Sequence, residues 1–170
     1  DPRYLDIARK AADFCLTHLR NEEGRLLKRW RLGKAGLPAH LKDYAFLSQG
    51  LLDLYEAALA SEYLIEAKAL TDITRSLFED RDNGGFFLTA EDREPLLVRA
   101  KEIYDGAIPS GNSVMALNLV RLAKFTGDPT YRACAHSLFS AFAGFLQKNP
   151  QGAEVLLQAL DFDPAPALEI

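Results

Sequence analysis

The sequence predicts an all-α protein assembled from repeating helical hairpins, an architecture that stacks as a solenoid or closes as a toroid. Three observations carry the prediction. Apolar residues recur with helical spacing along most of the chain. Two of the helical runs are apolar almost all round, whereas their neighbours are two-sided. A hairpin-sized block also returns after roughly 60 to 70 residues, the span of one repeat.

The first run, from about Tyr4 to Arg20, places Tyr4, Ile7, Ala8, Ala11, Phe14, Cys15 and His18 on one stripe. Asp6, Arg9, Lys10, Asp13, Thr17 and Arg20 lie on the other, so an amphipathic helix covers a core with the apolar stripe. Tyr63, Ala67, Leu70, Ile73 and Leu77 repeat this pattern, as do Tyr131, Ala135, Leu138, Phe142, Phe145 and Leu146. Asp43 to Leu59 and Ser113 to Thr126 differ. Each carries only a narrow polar strip (Gln49, Asp53 and Glu56; Asn118, Arg121 and Lys124), the mark of a helix buried on most sides. The order is outer, inner, outer, inner, outer, then a short run from Ala153 to Leu160. Leu51-Leu52-Asp53-Leu54 precedes Tyr63 as Leu119-Val120-Arg121-Leu122 precedes Tyr131, which defines the repeated block. In the turn Thr126-Gly127-Asp128-Pro129, glycine ends one helix, aspartate caps the next and proline opens it.

The connections from outer to inner helices, Asn21 to Lys42 and Asp80 to Asn112, are long. They carry strand-like runs at Leu26 to Leu32, Gly85 to Thr89 and Leu96 to Arg99. The last two flank Ala90 to Pro95, which reads as a hairpin loop. Loops of this length in a compact domain are usually functional, and these are expected to decorate one rim, over the mouth formed by the inner helices.

Composition narrows the function classes. The 170 residues (1–170) suit a single domain; 48% hydrophobic and 26% charged is an ordinary globular mix. The net charge is -4 and no basic run stands out, which argues against nucleic-acid binding. No apolar stretch approaches the roughly 18 residues that cross a membrane. Cys15 and Cys134 are isolated and form no metal or redox pattern, so a reducing, cytoplasmic setting is expected. No cofactor and no metal site is expected. Asp80-Arg81-Asp82-Asn83-Gly84-Gly85 with Glu91 approaches a calcium loop, but Gly84 removes a ligand and no helix follows; a helix end and polar turn is the better reading. The chain opens on Asp1-Pro2 and closes just as a further apolar run begins, as expected for a segment of a longer protein.

The stretch Asp105-Gly106-Ala107-Ile108-Pro109-Ser110-Gly111-Asn112-Ser113 is the most informative. Ser110 and Asn112 are good N-cap types at the start of an inner helix, where free N–H groups favour anionic or hydroxyl-bearing ligands. Asp43 opens the other inner helix. Asp43 and Asp105 are therefore the candidate catalytic pair, general acid and base in glycoside chemistry. The structural alternatives are that Asp43 caps its helix and Asp105 holds its own turn. Trp30, Tyr44 and Tyr104 are candidates for stacking on a sugar ring, with core packing as the alternative. Arg99 and Lys101 are candidate contacts for anionic groups, as is Arg29, against a default of solvated charge. Among the histidines, only His40 stands where chemistry is plausible; His18 falls on an apolar stripe and reads as core, and His136 reads as solvated. No serine sits in a G-x-S-x-G setting, so a hydrolase nucleophile has no support.

Several of these blocks resemble one known family. Asp43-Tyr44-Ala45-Phe46-Leu47 and Gly50-Leu51-Leu52-Asp53-Leu54-Tyr55-Glu56-Ala57 are similar to the spermatogenesis-associated protein 20 and YyaL-like family of thioredoxin-domain-containing proteins. Gly84-Gly85-Phe86-Phe87, Leu97 to Lys101, Asp105 to Ser113 and Leu156 to Phe162 match in the same order. The resemblance implies an incomplete (α/α)6 toroid similar to six-hairpin glycosidases and N-acylglucosamine 2-epimerases. It implies two partners, a carbohydrate ligand and a thioredoxin-like domain of the same full-length chain. A carbohydrate-active or sugar-binding domain is the leading expectation; a non-catalytic scaffold docking the thioredoxin-like domain is the alternative. Lys42 stands where the family often has a second aspartate, and neither inner helix carries the histidines of the epimerases.

Overall fold

The computed structural model describes residues 1–92 and 98–164. Helix α1 spans Pro2–His18, α2 Leu41–Ala58, α3 Ser61–Phe78, α4 Gly111–Thr126, α5 Pro129–Lys148 and α6 Glu154–Phe162. A 3-10 turn, Pro150–Gly152, leads into α6. Helices α2, α4 and α6 form an inner row with α4 in the middle; α3 packs on α2, and α5 on α4. The short run after Ala153 is thus a third inner helix.

The all-round apolar pattern of α4 has the consequence expected of it: every residue from Gly111 to Leu122 is buried. Leu51, Leu52, Leu70, Met115, Leu119, Leu122 and Leu138 are fully buried between the layers. Burial of each such side chain contributes about 1.5–3 kcal/mol against the entropy of ordering the chain. Asn118 does not belong to a solvated strip. It is fully buried, and its Nδ2 donates to the Ala45 carbonyl at 2.8 Å, tying α4 to α2. The α4–α5 turn forms as its residues dictate: Gly127 is left-handed at φ 69°, the Asp128 carboxylate accepts from the Thr130 N–H at 2.9 Å, and Pro129 opens α5.

Helix α1 packs through a different face from the one expected. Ala12 is buried and Leu5 and Leu16 are partly so, while Tyr4 and Ile7 are 74% and 62% exposed. Apolar residues occupy so much of its circumference that periodicity does not decide which stripe meets α2. His18, expected in the core, is exposed; its ring lies 4.8 Å from that of Phe14 and 5.0 Å from that of Trp30.

A β-hairpin forms where only one strand was expected. Strand β1, Leu27–Arg31, pairs antiparallel with β2, Lys34–Pro38. Leu32 and Gly33 make the turn with φ of 50° and 75°, the two positive values that match a tight hairpin to strand twist. The second strand, Lys-Ala-Gly-Leu-Pro, has no β-branched or aromatic residue and so gives no strand signal. The run from Gly85 to Thr89 is not a strand. Gly84 and Gly85, at φ 76° and 74°, bend the chain so that only Phe86 bridges to Glu79. Its expected partner at Leu96 to Arg99, and the loop Ala90 to Pro95, fall partly outside the described residues. No helix among the described residues is long and apolar enough to cross a membrane.

Candidate functional site at the inner-helix N-termini

The N-termini of α2, α4 and α6 meet at one end of the molecule. Gly111 opens α4 against Leu41 of α2 so closely that a methyl group at Gly111 would lie 2.9 Å from Leu41 Cγ. Asp105 joins α4 to α6: one carboxylate oxygen accepts the Ser110 N–H at 2.7 Å and the other the Val155 N–H at 3.0 Å. The Asp105 N–H itself donates to the Gly152 carbonyl at 2.7 Å. Asp105 therefore acts as a clamp, with both oxygens engaged by backbone.

Ser110 is the N-cap of α4. Its Oγ accepts the Ser113 N–H at 3.0 Å and donates to Ser113 Oγ, and it is fully buried. Asn112, also fully buried, exchanges two hydrogen bonds with Phe86, accepting its N–H at 2.7 Å and donating to its carbonyl at 2.9 Å. A further bond runs from Nδ2 to the Glu102 carbonyl at 2.8 Å. These two residues hold the preceding loop to the helix start.

Arg99 and Lys101 point inward as well. The Arg99 guanidinium donates to the Thr89 carbonyl at 2.7 Å and lies 4.0 Å above the Phe87 ring. Lys101 Nζ pairs with Asp80 Oδ2 at 2.6 Å and donates to the Gly84 carbonyl at 2.6 Å. That hydrogen bond to Lys101, with further bonds from Asn83, holds the Asp80 carboxyl down at about 2. The polar turn after α3 is thus closed around an ammonium group. Among the described residues, no group of three or more His, Cys, Asp or Glu side chains is placed to hold a metal ion.

Asp43 is placed differently. It sits in the first turn of α2, where one oxygen accepts the His40 N–H at 2.7 Å, and its side chain is only part-buried. It lines two adjoining concavities, of about 430 Å³ and about 380 Å³. Both are walled by Lys28, Lys42 and Asp43; the first adds His40, Thr89 and Glu102, the second Phe46 and Ile108. Lys42 pairs with Glu102 at 3.0 Å. The cleft thus holds two carboxylates, two ammonium groups and an imidazole. Glu102 and Lys28 escaped the sequence reading because no local motif marks them; only the folded loops carry them to the start of α2.

The aromatic candidates separate. Tyr44 is core: it is 2% exposed, its hydroxyl accepts the Leu26 N–H at 2.9 Å, and its ring lies 5.3 Å from that of Phe78. Trp30 is 38% exposed and packs edge-on against Phe14 at 5.6 Å. Tyr104 is 62% exposed and covers Gly152. A second polar groove, of about 330 Å³, crosses α2, α4 and α6 with Gln49, Asp53, Glu56, Arg121 and Gln158 in its walls. There the buried Arg121 guanidinium pairs with Asp53 at 2.8 Å and Glu56 at 3.1 Å.

An inner row of helices sharing one N-terminal end, backed by an outer row, defines the α/α-toroid class. Two solved structures from Bacteroides thetaiotaomicron share this arrangement. The GH76 α-mannanase matches with a TM-score of 0.67 at 14% identity, over 95% of this chain and 46% of that one. The glycoside hydrolase family 76 mannosidase matches with a TM-score of 0.62 at 20% identity, over 81% and 37%. At such identities the likeness is one of fold. In sequence, the chain is similar to spermatogenesis-associated protein 20. It is 37% identical to the human protein over 168 residues, 93% of this chain, and 42% identical to the rat protein over 121 residues, 71% of this chain. It is also 35% identical to an uncharacterized Caenorhabditis elegans protein over 158 residues, 88% of this chain. The chain spans 21%, 15% and 21% of the lengths of these relatives. No protein-family model matches it.

Proposed function

We propose that the cleft at the inner-helix N-termini binds a saccharide and that Asp43 is its proton-transferring group. One observation carries this reading: Asp43 is the one carboxylate of the candidate pair that keeps an oxygen without a hydrogen bond among the described residues, and it faces two open concavities. A general acid or base must reach the substrate's oxygen, which a fully engaged carboxylate does not. Glu102, in the same cleft, supplies the second carboxylate that glycoside chemistry uses. Asp105, the other candidate catalytic residue, serves here as a positioning residue through its bonds to Ser110 and Val155. Ser110, Asn112, Arg99 and Lys101 hold the loops that shape the cleft, and Trp30 and Tyr104 are exposed aromatic surfaces outside the walls of the two concavities. The mannan-active neighbours share only the fold, and they suggest mannobiose as the first ligand to try.

The test is calorimetric titration of the intact protein with mannobiose and a panel of other disaccharides, repeated with Asp43→Asn. Saccharide binding with turnover abolished in Asp43→Asn supports the reading; absence of binding by any saccharide sinks it. A second reading, a scaffold for a thioredoxin-like domain of the same chain, draws on the apolar groove of about 690 Å³ between α1 and α2, walled by Tyr4, Leu5, Ala8, Leu54 and Ala57. Cross-linking from Tyr4 to such a domain, with no saccharide bound, is the outcome that favours it.

A further inference from the structure

The hairpin beside the cleft concentrates positive charge in a protein whose net charge is -4. Lys28, Arg29, Arg31 and Lys34 are all exposed and make no ion pair among the described residues. Elsewhere several cations are matched: Arg20 with Glu66, Arg25 with Asp92, Lys42 with Glu102, Lys101 with Asp80 and Arg121 with Asp53. The strand register worsens the local repulsion, because Arg31 lies directly opposite Lys34. Like charges at directly opposed positions destabilise a hairpin. Arg29 and Arg31 share one face of β1, roughly 7 Å apart by strand geometry. The other face carries Trp30 onto Phe14 and His18 and Lys28 into the walls of both concavities at Asp43. In sequence the patch spans only residues 28–34, and the hairpin sets Arg29, Arg31 and Lys34 on one face and Lys28 on the other.

We propose that the β1–β2 hairpin is an anion-binding arm of the Asp43 cleft, so that the saccharide taken there carries a phosphate or carboxylate group. The proposal rests on the saccharide reading above. Lys28 meets the anionic group at the cleft wall, and Arg29, Arg31 and Lys34 supply the field that draws it in.

The test compares mannose, mannose 6-phosphate and mannuronate by calorimetry on the intact protein, with wild type, Lys28→Gln and the double variant R29Q/R31Q. At least one charged sugar is expected to bind tenfold or more tightly than mannose at low salt, and the phosphate and carboxylate arms tell which group is read. That ratio is expected to shrink several-fold at about 0.3 M salt, as screening requires. In R29Q/R31Q it is expected to fall toward one while mannose affinity holds, and in Lys28→Gln the charged sugar is expected to lose more affinity than mannose does. A melting curve for R29Q/R31Q at or above that of the wild type checks that the fold is kept. Equal affinity for charged and neutral sugars, or a ratio unmoved by both variants, overturns the proposal and leaves the saccharide reading standing. A single-stranded oligonucleotide that binds the arm more tightly than either charged sugar overturns it as well. If neither neutral nor charged sugars bind, the saccharide reading falls and takes this proposal with it.

Discussion

At the scale of single residues, the candidate site divides by whether a side chain's polar atoms are already engaged. Asn112 uses its amide on the backbone of Phe86 and Glu102. Asn112→Ala orphans those buried groups and is expected to cost about 3 kcal/mol. In a chain of this size that lowers the melting temperature by roughly 6–12 °C, measurable by differential scanning calorimetry. Asp80 makes a pH prediction. Its carboxyl is held at about 2, below the ordinary 3.8, by Lys101. A depressed folded-state value means that the stabilisation is present in full above pH 4 and is lost as pH falls toward 2. The pair is expected to contribute about 2 kcal/mol, and Asp80→Asn to flatten the acid limb of the stability curve in that window. A variant that keeps the wild-type acid limb would refute the assignment. Asp43 and Asp105 are expected to part in the same assay: Asp105→Ala lowers the melting temperature by several degrees, while Asp43→Asn changes stability by less than about 1 kcal/mol.

At the scale of elements, the helices were legible because each has a period and an end signal; the turn Thr126 to Pro129 forms with the residue roles its sequence dictates. The hairpin at 27–38 was half legible, since β1 carries Trp30 whereas β2 has little strand character. The burial of Asn118 was not legible from its residue type: only the packing of α4 on α2 supplies the buried carbonyl that its amide needs. The same packing fixes Gly111. Gly111→Ala places a methyl group 2.9 Å from Leu41, so the starts of α2 and α4 must separate. This overpacking is expected to cost about 1–3 kcal/mol and to weaken saccharide binding through the displaced Asp43, read by calorimetry on a protein still folded by circular dichroism.

At the scale of the whole molecule, several residues singled out in the sequence gather at one end of the inner helices, where the fold engages Ser110, Asn112, Arg99 and Lys101 in tying down loops. Ser110, Asn112, Arg99 and Lys101 are polar, loop-borne and adjacent to a helix start, which is also the description of residues that tie long loops down. Burial separates the two roles, and burial is a property of the assembled layers. Glu102 and Lys28 joined the cleft for the converse reason: nothing local marks them, and tertiary structure brings them to Asp43. The most direct measurement is hydrogen–deuterium exchange of the intact protein with and without saturating saccharide. Protection confined to β1, the first turn of α2 and the segment around Glu102 is the result expected of a ligand seated beside Asp43. Unchanged exchange there, or protection confined to α1 and the C-terminal half of α2, would contradict it.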